Sequence, residues 1–396
     1  MTAQMRAEAL RIFAAGVAAA DPYIAVRNHL DRIDPPELIL ALGKAAMRMA
    51  EAALTQFAGT KCIVVTNYEN AGSLEGATVF AAGHPVPDEN GVRAADAVIA
   101  ALRQARGPVL ALISGGGSAL LPAPAGDLTL ADKAAVSTAL LGAGLDIGAM
   151  NLVRQQLSRL KGGGLLREAA PAPVTALILS DVIGDDLAVI ASGPTVAPIG
   201  TAQEAVALLK TSGLWQTVPD AVRHHLETVR EVSSPPAAHN ILIGSNAMSL
   251  AAMQRAAPHA HVLPRPVTGD VAEAARTICE QARPGITLWG GETTVVLHGT
   301  GKGGRNQELG LRIAQGAAER GWNRFVCLQG GSDGRDGPTD AAGALVDDGT
   351  LARVGDADAY LARNDSYAAL ARAHDLLMTG ATGTNVADLG VLIRPI

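Results

Sequence analysis

Short unbroken apolar runs, each closed by a glycine turn and followed by a helical pattern, constrain this chain more than any other feature. LILALGKAAMRMAEAAL (38–54) is a buried strand, a turn at Gly43 and an alanine-rich helix. The same order recurs in KCIVVTNYENAG, VLALISGGGSALL, TALILSDVIGDDL, NILIGSNAMSLAAM and RFVCLQGGSDGRDG. Apolar runs that do not alternate with polar residues fit strands covered on both faces. Strand, turn and helix in repetition predict an α/β fold with mainly parallel sheets. In such sheets ligands bind beyond the carboxyl ends of the strands, so the functional residues are expected in these turns.

The length of 396 residues fits two domains. Ser-Ser-Pro-Pro in REVSSPPAAHN (230–240) interrupts the pattern, which places an N-terminal domain at 1–236 and a C-terminal domain at 237–396. RAEALRIFAAGVAAADP reads as an amphipathic surface helix ending near Pro22. With 48% hydrophobic residues and a net charge of −6, the chain is no disordered segment. It also lacks the clustered basic face of a nucleic-acid binder. Arg6, Glu8 and Arg11 interrupt any signal-peptide core, and no apolar stretch reaches the roughly 18 residues of a membrane span. Cys62, Cys279 and Cys327 are scattered, without disulfide or zinc spacing. The expectation is a reduced cytoplasmic protein with no membrane or nucleic-acid partner. A homo-oligomer is neither required nor excluded.

In ISGGGSALL (113–121) a strand enters Ser114, Gly115, Gly116, Gly117 and Ser118. Three glycines let backbone N–H groups converge on an anion, and a helix beginning near Ser118 adds partial positive charge. A tight packing turn would need the same glycines. Only six of the 32 basic residues are lysines. One of them, Lys44, follows a buried strand, where its ammonium could meet a phosphate or carboxylate, or snorkel to solvent. NLVRQQLSRLKGGGLL (151–166) reads as one helix carrying Arg154, Ser158 and Lys161 on a single face, either an anion site or a solvated stripe. Asp181 and Asp185 follow a strand, Glu292 lies in GGETT, and Asp333, Asp336 and Asp340 lie in GGSDGRDGPTDAAG. Carboxylates beside phosphate-binding glycines are where magnesium would be held, whereas a lone Asp in such a turn is usually a cap. Arg305 offers a planar fork for carboxylate or phosphate, with Asn306 beside it for polar substrate groups. His84, flanked by prolines, reads equally as a rigid loop residue and as a catalytic one. GTGKGGRN (299–306) is not a Walker A loop, and no strand is followed by the dinucleotide-binding glycine fingerprint.

Taken in order, SGGGSALL, NLVRQQLSRLKGGGL, ILSDVIGDDLAVIASGPT, GGETTV, GKGGRNQE, DGRDGPTDAAGA and TGATGTNVADL resemble the glycerate 2-kinases. The resemblance runs from about Leu10 to Leu392. It implies an N-terminal Rossmann-like domain with a mainly parallel sheet, a C-terminal α/β domain of the MOFRL type, and an active site in the cleft between them. It also implies ATP and D-glycerate as substrates with magnesium. Lys44 matches the family's active-site lysine, Arg305 its GGRNQE arginine and Asp181 its aspartate after the SDV strand. Glu292, Asn306 and the aspartates of DGPTDA match other polar cleft residues. Ser332 replaces a common threonine, and the third glycine of KGGGLL replaces a larger residue.

The function so implied is phosphoryl transfer from ATP to the 2-hydroxyl of D-glycerate. Lys44, Arg305 and Asp181 are the expected catalytic residues. Ser114 to Ser118, Arg154, Lys161, Glu292, Asn306 and Asp333 are the expected substrate and nucleotide ligands, and Asp181 and Asp340 the expected metal ligands. An NAD(P)H-dependent hydroxypyruvate reductase, the historical label of many members, is the alternative; the missing dinucleotide fingerprint counts against it. A non-catalytic binder of phosphorylated metabolites would explain the glycine turns but not the acidic residues gathered with them.

Overall fold

The computed structural model describes residues 2–229 and 234–395; residues 230–233 of the expected domain border lie outside the described residues. The chain forms two compact units. One is Pro22–Ile243; the other combines Met1–Asp21 with Gly244–Ile396.

The first unit carries a six-stranded sheet of β1 (Leu38–Leu42), β2 (Lys61–Asn67), β3 (Ala77–Ala82), β4 (Val109–Ser114), β5 (Val174–Leu179) and β6 (His239–Gly244). Its order is β3-β2-β1-β4-β5-β6. The pairs β1–β2, β1–β4, β2–β3 and β4–β5 are parallel. Every residue of β1 and β4 is buried, as expected of strands covered on both faces. Helix Glu89–Gln104 lays Ala94, Val98 and Leu102 on this core, and the Asp88 carboxylate caps it by accepting from Gly91 N–H. The direction of strand addition reverses between β1 and β4. Such a switch point opens a crevice at the carboxyl ends, because the two connections leave toward opposite faces.

The second unit is a seven-stranded sheet. It contains β7 (His261–Val262), β8 (Val267–Asp270), β9 (Gly285–Thr294), β10 (Val326–Gly331), β11 (Gly343–Asp347), β12 (Leu376–Leu377) and β13 (Asp388–Arg394). The order is β12-β11-β10-β13-β9-β7, with β8 also on β9. Here the expectation of a mainly parallel sheet fails. β9–β13, β10–β13, β10–β11 and β11–β12 are antiparallel, while β7 and β8 run parallel to β9. Between β10 and β11 stands the polar loop SDGRDGPTDAA in place of a crossover helix, so the chain returns antiparallel.

The border also differs from the expected one. The strand ILIG completes the first sheet, although the sequence reading assigned it to the second domain. Helix Thr2–Ala18 belongs with the second unit, where Ala9, Ile12 and Phe13 pack with Met253, Leu328 and Leu389. Arg6 fixes the helix further by pairing with Asp347 and Asp375 at 2.6 and 3.0 Å. Among the described residues no single helix is long and apolar enough to cross a membrane.

Candidate active site

The switch point of the first sheet is occupied by the two glycine turns that stood out in the sequence. Leu42 pairs with Ile113, so β1 and β4 end side by side. Ser114 Oγ locks the two exits together, donating to Leu42 C=O at 3.2 Å and accepting from Ala45 N–H at 3.1 Å. Lys44 N–H donates to Gly115 C=O at 2.9 Å, which holds the lysine at the rim of the crevice. Gly116 adopts φ +86, a left-handed conformation that favours glycine, and the four-residue helix Gly117–Leu120 follows. A Cβ on Gly116 would sit 3.1 Å from Lys44 Cγ and 3.3 Å from the His84 ring. A Cβ on Gly115 would collide with the Asp181 carboxylate. The glycines are therefore needed because Lys44, His84 and Asp181 crowd onto their backbone.

Burial raises the Asp181 carboxyl above its ordinary range, and the charge of Lys44 pulls it partly back. Burial and Lys44 together lower the His84 imidazole. Lys44, Asp181 and His84 thus share one electrostatic environment.

Beyond Ser118 the same crevice deepens. Ser118 Oγ lies 2.7 Å from Ser192 Oγ, and Ser192 donates to Asn151 Oδ1 at 3.2 Å. Ala191 and Ser192 have φ of 50 and 60, a strained backbone of the kind that gathers at functional sites. The expected single helix over 151–166 is not formed. The helix Ile147–Gln156 stops, and the backbone turns to pair with the Pro122–Ala125 loop through Arg159 N–H to Ala123 C=O and Ala125 N–H to Leu157 C=O. Ser158 becomes a buried structural residue donating to Pro122 C=O. Arg154 and Lys161 still line a single cavity. Lys161 Nζ donates to Ser118 C=O at 2.7 Å; burial, helped by the charge of Arg154, pulls its ammonium down to about 7.

The second unit has its own polar constellation. Helix Arg305–Glu319 starts at Gly304, which has no side chain to cap it. Asp336 supplies the cap from the β10–β11 loop, accepting from Asn306 N–H at 3.1 Å and Gln307 N–H at 2.8 Å. Arg305 is gripped by Asp388 through two bonds, Nε to Oδ2 at 2.7 Å and Nη2 to Oδ1 at 3.0 Å, and its Nη1 lies 2.9 Å from Glu292. Burial alone would lower the guanidinium, and the bonds to Asp388 outweigh it, raising it instead. Burial pushes Asp388 up, with Arg305 opposing, and pushes Asp336 up to about 6 against the N–H bonds it accepts. Asn306, expected to face a substrate, is buried with its amide spent inside the protein. Its Nδ2 donates to Asp388 and Asp336, and its Oδ1 accepts from Gln329 Nε2, whose own Oε1 accepts from Trp289.

Asp333 is half-buried and accepts from Arg335 N–H. Asp340 is exposed and accepts from Tyr367 Oη at 2.8 Å, the setting of a surface contact. Among the described residues no group of three or more His, Cys, Asp or Glu side chains could hold a metal. Sequence reasoning missed Asp388, Ser192 and Lys133, the last of which lines the same cavity as Arg154 and Lys161. Asp388 lies in the motif TGATGTNVADL, but nothing local marks its carboxylate as the partner of Arg305. Lys133 carried one usable signal, the scarcity of lysine.

Two family models match the chain. One is described as a domain of unknown function (DUF4147) and covers residues 8–227; the other is the MOFRL family, over residues 285–388. A protein of Agrobacterium vitis, provisionally named a hydroxypyruvate reductase, is 40% identical over 97% of this chain and 93% of its own length. The D-glycerate 2-kinase of Thermotoga maritima is 38% identical over 96% of both chains. The crystal structure of a glycerate kinase from Thermotoga maritima superposes with a TM-score of 0.91, covering 99% of each chain at 34% identity.

Proposed function

This chain belongs to the glycerate 2-kinase family, and from that membership we propose how its residues divide the work. The activity is that of a kinase acting on an alcohol: a phosphoryl group moves to the 2-hydroxyl of glycerate. ATP as donor, D-glycerate as acceptor, magnesium as companion ion and a cytoplasmic location are our assignments. The three cysteines, all free and buried, support the last of these.

The observation that carries the reading is the crowding of Lys44 and Asp181 onto the backbone of Gly115 and Gly116 at the switch point. Phosphoryl transfer asks a protein mainly for positioning and for charge held in advance of the reaction. Lys44 Nζ offers a point charge to a phosphoryl oxygen, while the Ser114–Ser118 turn holds that lysine and limits water. Asp181 accepts the proton of the glycerate 2-hydroxyl as its oxygen bonds to the γ-phosphorus and the bond to the β-phosphate oxygen breaks, releasing ADP. A carboxyl whose proton affinity is raised by burial is better matched to that transfer than an ordinary aspartate. Arg154 and Lys161 we assign to phosphate, and Arg305 to an anionic group of a substrate.

Magnesium usually takes one or two protein carboxylates and completes its shell with phosphate oxygens and water. Asp181, a carboxylate beside the glycine turn, fits that sparse donor set, and the ion would neutralise phosphate charge there. No comparable support surrounds Asp340, whose carboxylate is held by Tyr367.

A paired assay tests the function. D-glycerate, ATP and magnesium should release ADP, and enolase should consume the product directly, as it would only a 2-phosphate. Oxidation of NADH or NADPH by hydroxypyruvate, without ADP release, would establish the reductase instead.

A further inference from the structure

Between β9, which carries Glu292, and the helix that starts at Arg305, residues 295–304 run without regular secondary structure. Gly299, Gly301, Gly303 and Gly304 all fall in this short loop. Glycine loses more conformational freedom on folding than any other residue, so such a loop keeps one shape only if something outside it holds it. Its two ends are nevertheless brought together, with Arg305 Nη1 and Glu292 paired at 2.9 Å.

What holds the loop is the stretch 363–367 of the same unit. Gly301 N–H donates to Arg363 C=O at 2.9 Å, and Tyr367 N–H donates to Lys302 C=O at 3.0 Å. Lys302 N–H donates to Asp365 Oδ1 at 3.1 Å. A Cβ on Gly299 or on Gly301 would come within 2.5 Å of the Arg363 carbonyl oxygen, and one on Gly303 would collide with Ser366 Oγ. These glycines let the two stretches of backbone lie directly against each other.

Asn364 is the centre of the clamp. The residue is buried, and both hydrogens and both lone pairs of its carboxamide are used. Oδ1 accepts from His298 N–H at 2.7 Å and from Gly299 N–H at 3.0 Å. Nδ2 donates to Val296 C=O at 3.2 Å and to Glu308 Oε2 at 3.4 Å. Glu308 is buried in the first turn of the helix that Arg305 opens, and its other oxygen accepts from Arg312 Nε at 2.9 Å. One carboxamide thus ties the loop to the helical turn that presents Arg305. A buried amide with every position satisfied specifies a single arrangement of its neighbours. The backbone of Asn364, with φ 55, also closes the turn after helix Ala357–Leu361, its N–H donating to Leu361 C=O. Glycine would serve that turn equally, so the turn does not account for the carboxamide.

We propose that Asn364 is a positioning residue for phosphoryl transfer: its carboxamide holds the 295–304 loop so that Arg305 is presented to the substrate anion. The proposal rests on the assignment of Arg305 to an anionic group of a substrate, and it adds a residue that acts only through the loop.

Steady-state kinetics by coupled ADP release test it, on wild type, Asn364→Gly, Arg305→Lys and the double variant. Asn364→Gly keeps the left-handed backbone, removes the carboxamide and should lower kcat/KM about tenfold. The loss should fall on the same parameter, kcat or one KM, that Arg305→Lys changes. Beside Arg305→Lys the same substitution should cost less than about threefold, because both changes spoil one interaction. Gly299→Ala, at an exposed position, pushes the loop off Arg363 from the other side. It should give the same pattern, alone and with Arg305→Lys, and serves if Asn364→Gly fails to fold. Hydrogen exchange in the folded variants should quicken over 296–302 and leave β10 and β13 protected. Wild-type kcat/KM in these variants, or a loss as large beside Arg305→Lys as in wild type, would overturn the proposal and leave the kinase reading standing. Wild-type turnover in Arg305→Lys would overturn it together with the Arg305 assignment. Wild-type protein that releases no ADP with D-glycerate would sink the kinase reading, while exchange quickened only in the loop would still uphold the clamp.

Discussion

Arg305 shows what a single side chain must give up to be useful. Its Nε and one Nη2 hydrogen are committed to Asp388, and its Nη1 turns toward Glu292. That grip fixes the plane of the guanidinium and leaves its remaining N–H groups for the anionic group we propose it binds. Arg305→Lys keeps the charge but cannot reproduce the two-point bond, so kcat/KM should fall about 100-fold in the coupled ADP assay. Near wild-type turnover would remove Arg305 from the machinery. Lys161 makes a prediction of the opposite kind. Its folded value is about 7 against an ordinary value of 10.5, so the unfolded chain holds the proton more tightly over that interval. Folded stability therefore carries a penalty that is full below pH 7 and disappears as pH rises toward 10.5. Lys161→Met should be more stable than wild type at pH 6, by something on the order of 2 kcal/mol, with the gain shrinking by pH 9 in urea melts. A gain that grew with pH would contradict the burial of that charge. Gly115→Ala places a methyl group where the Asp181 carboxylate stands, and should cut kcat while lowering stability by about 1–3 kcal/mol. An alanine variant of full activity would mean that the two groups do not need to touch.

At the scale of elements, the second unit hangs a helix on a loop. Helix Arg305–Glu319 begins without its own cap, and Asp336 serves two of its first backbone N–H groups from the β10–β11 connection. Asp336→Ala should cost about 2–3 kcal/mol in urea denaturation, because it orphans both donors in a buried place. A loss below 0.5 kcal/mol would show that water replaces the carboxylate. The same elements show how far the sequence could be read. Unbroken apolar runs identified β1, β4 and β5 and put Lys44 and the Ser114–Ser118 turn at strand exits, because burial on both faces leaves a mark in composition. Antiparallel return from β10 to β11 left no such mark, since an apolar strand reads the same in either direction. The helix expected over 151–166 failed at Leu157 because pairing with the Pro122–Ala125 loop outweighed a local pattern that continues to Lys161. Lys133 and Asp388 escaped notice for a related reason: each is placed by tertiary folding, and even the motif TGATGTNVADL does not reveal that its aspartate grips Arg305.

For the whole molecule, the decisive fact is that one unit is built from two separate stretches of chain. Phe13 lies in the core formed by β10 and β13 although more than three hundred residues intervene. Phe13→Ala should destabilise that unit by about 3–5 kcal/mol. Hydrogen exchange should then quicken in β10 and β13 and leave β1 and β4 protected; equal quickening in both sheets would argue against separate cores. The arrangement also sets an order of events on the ribosome. β13 lies at the centre of its sheet, between β9 and β10, yet it is synthesised after both, and it opens with Asp388, the anchor of Arg305. The unit that carries Lys44 has all its strands once β6 has emerged. The other, including the helix translated first, has to wait with its middle missing. A nascent chain can therefore display a finished glycine turn long before the Arg305 guanidinium has gained its anchor.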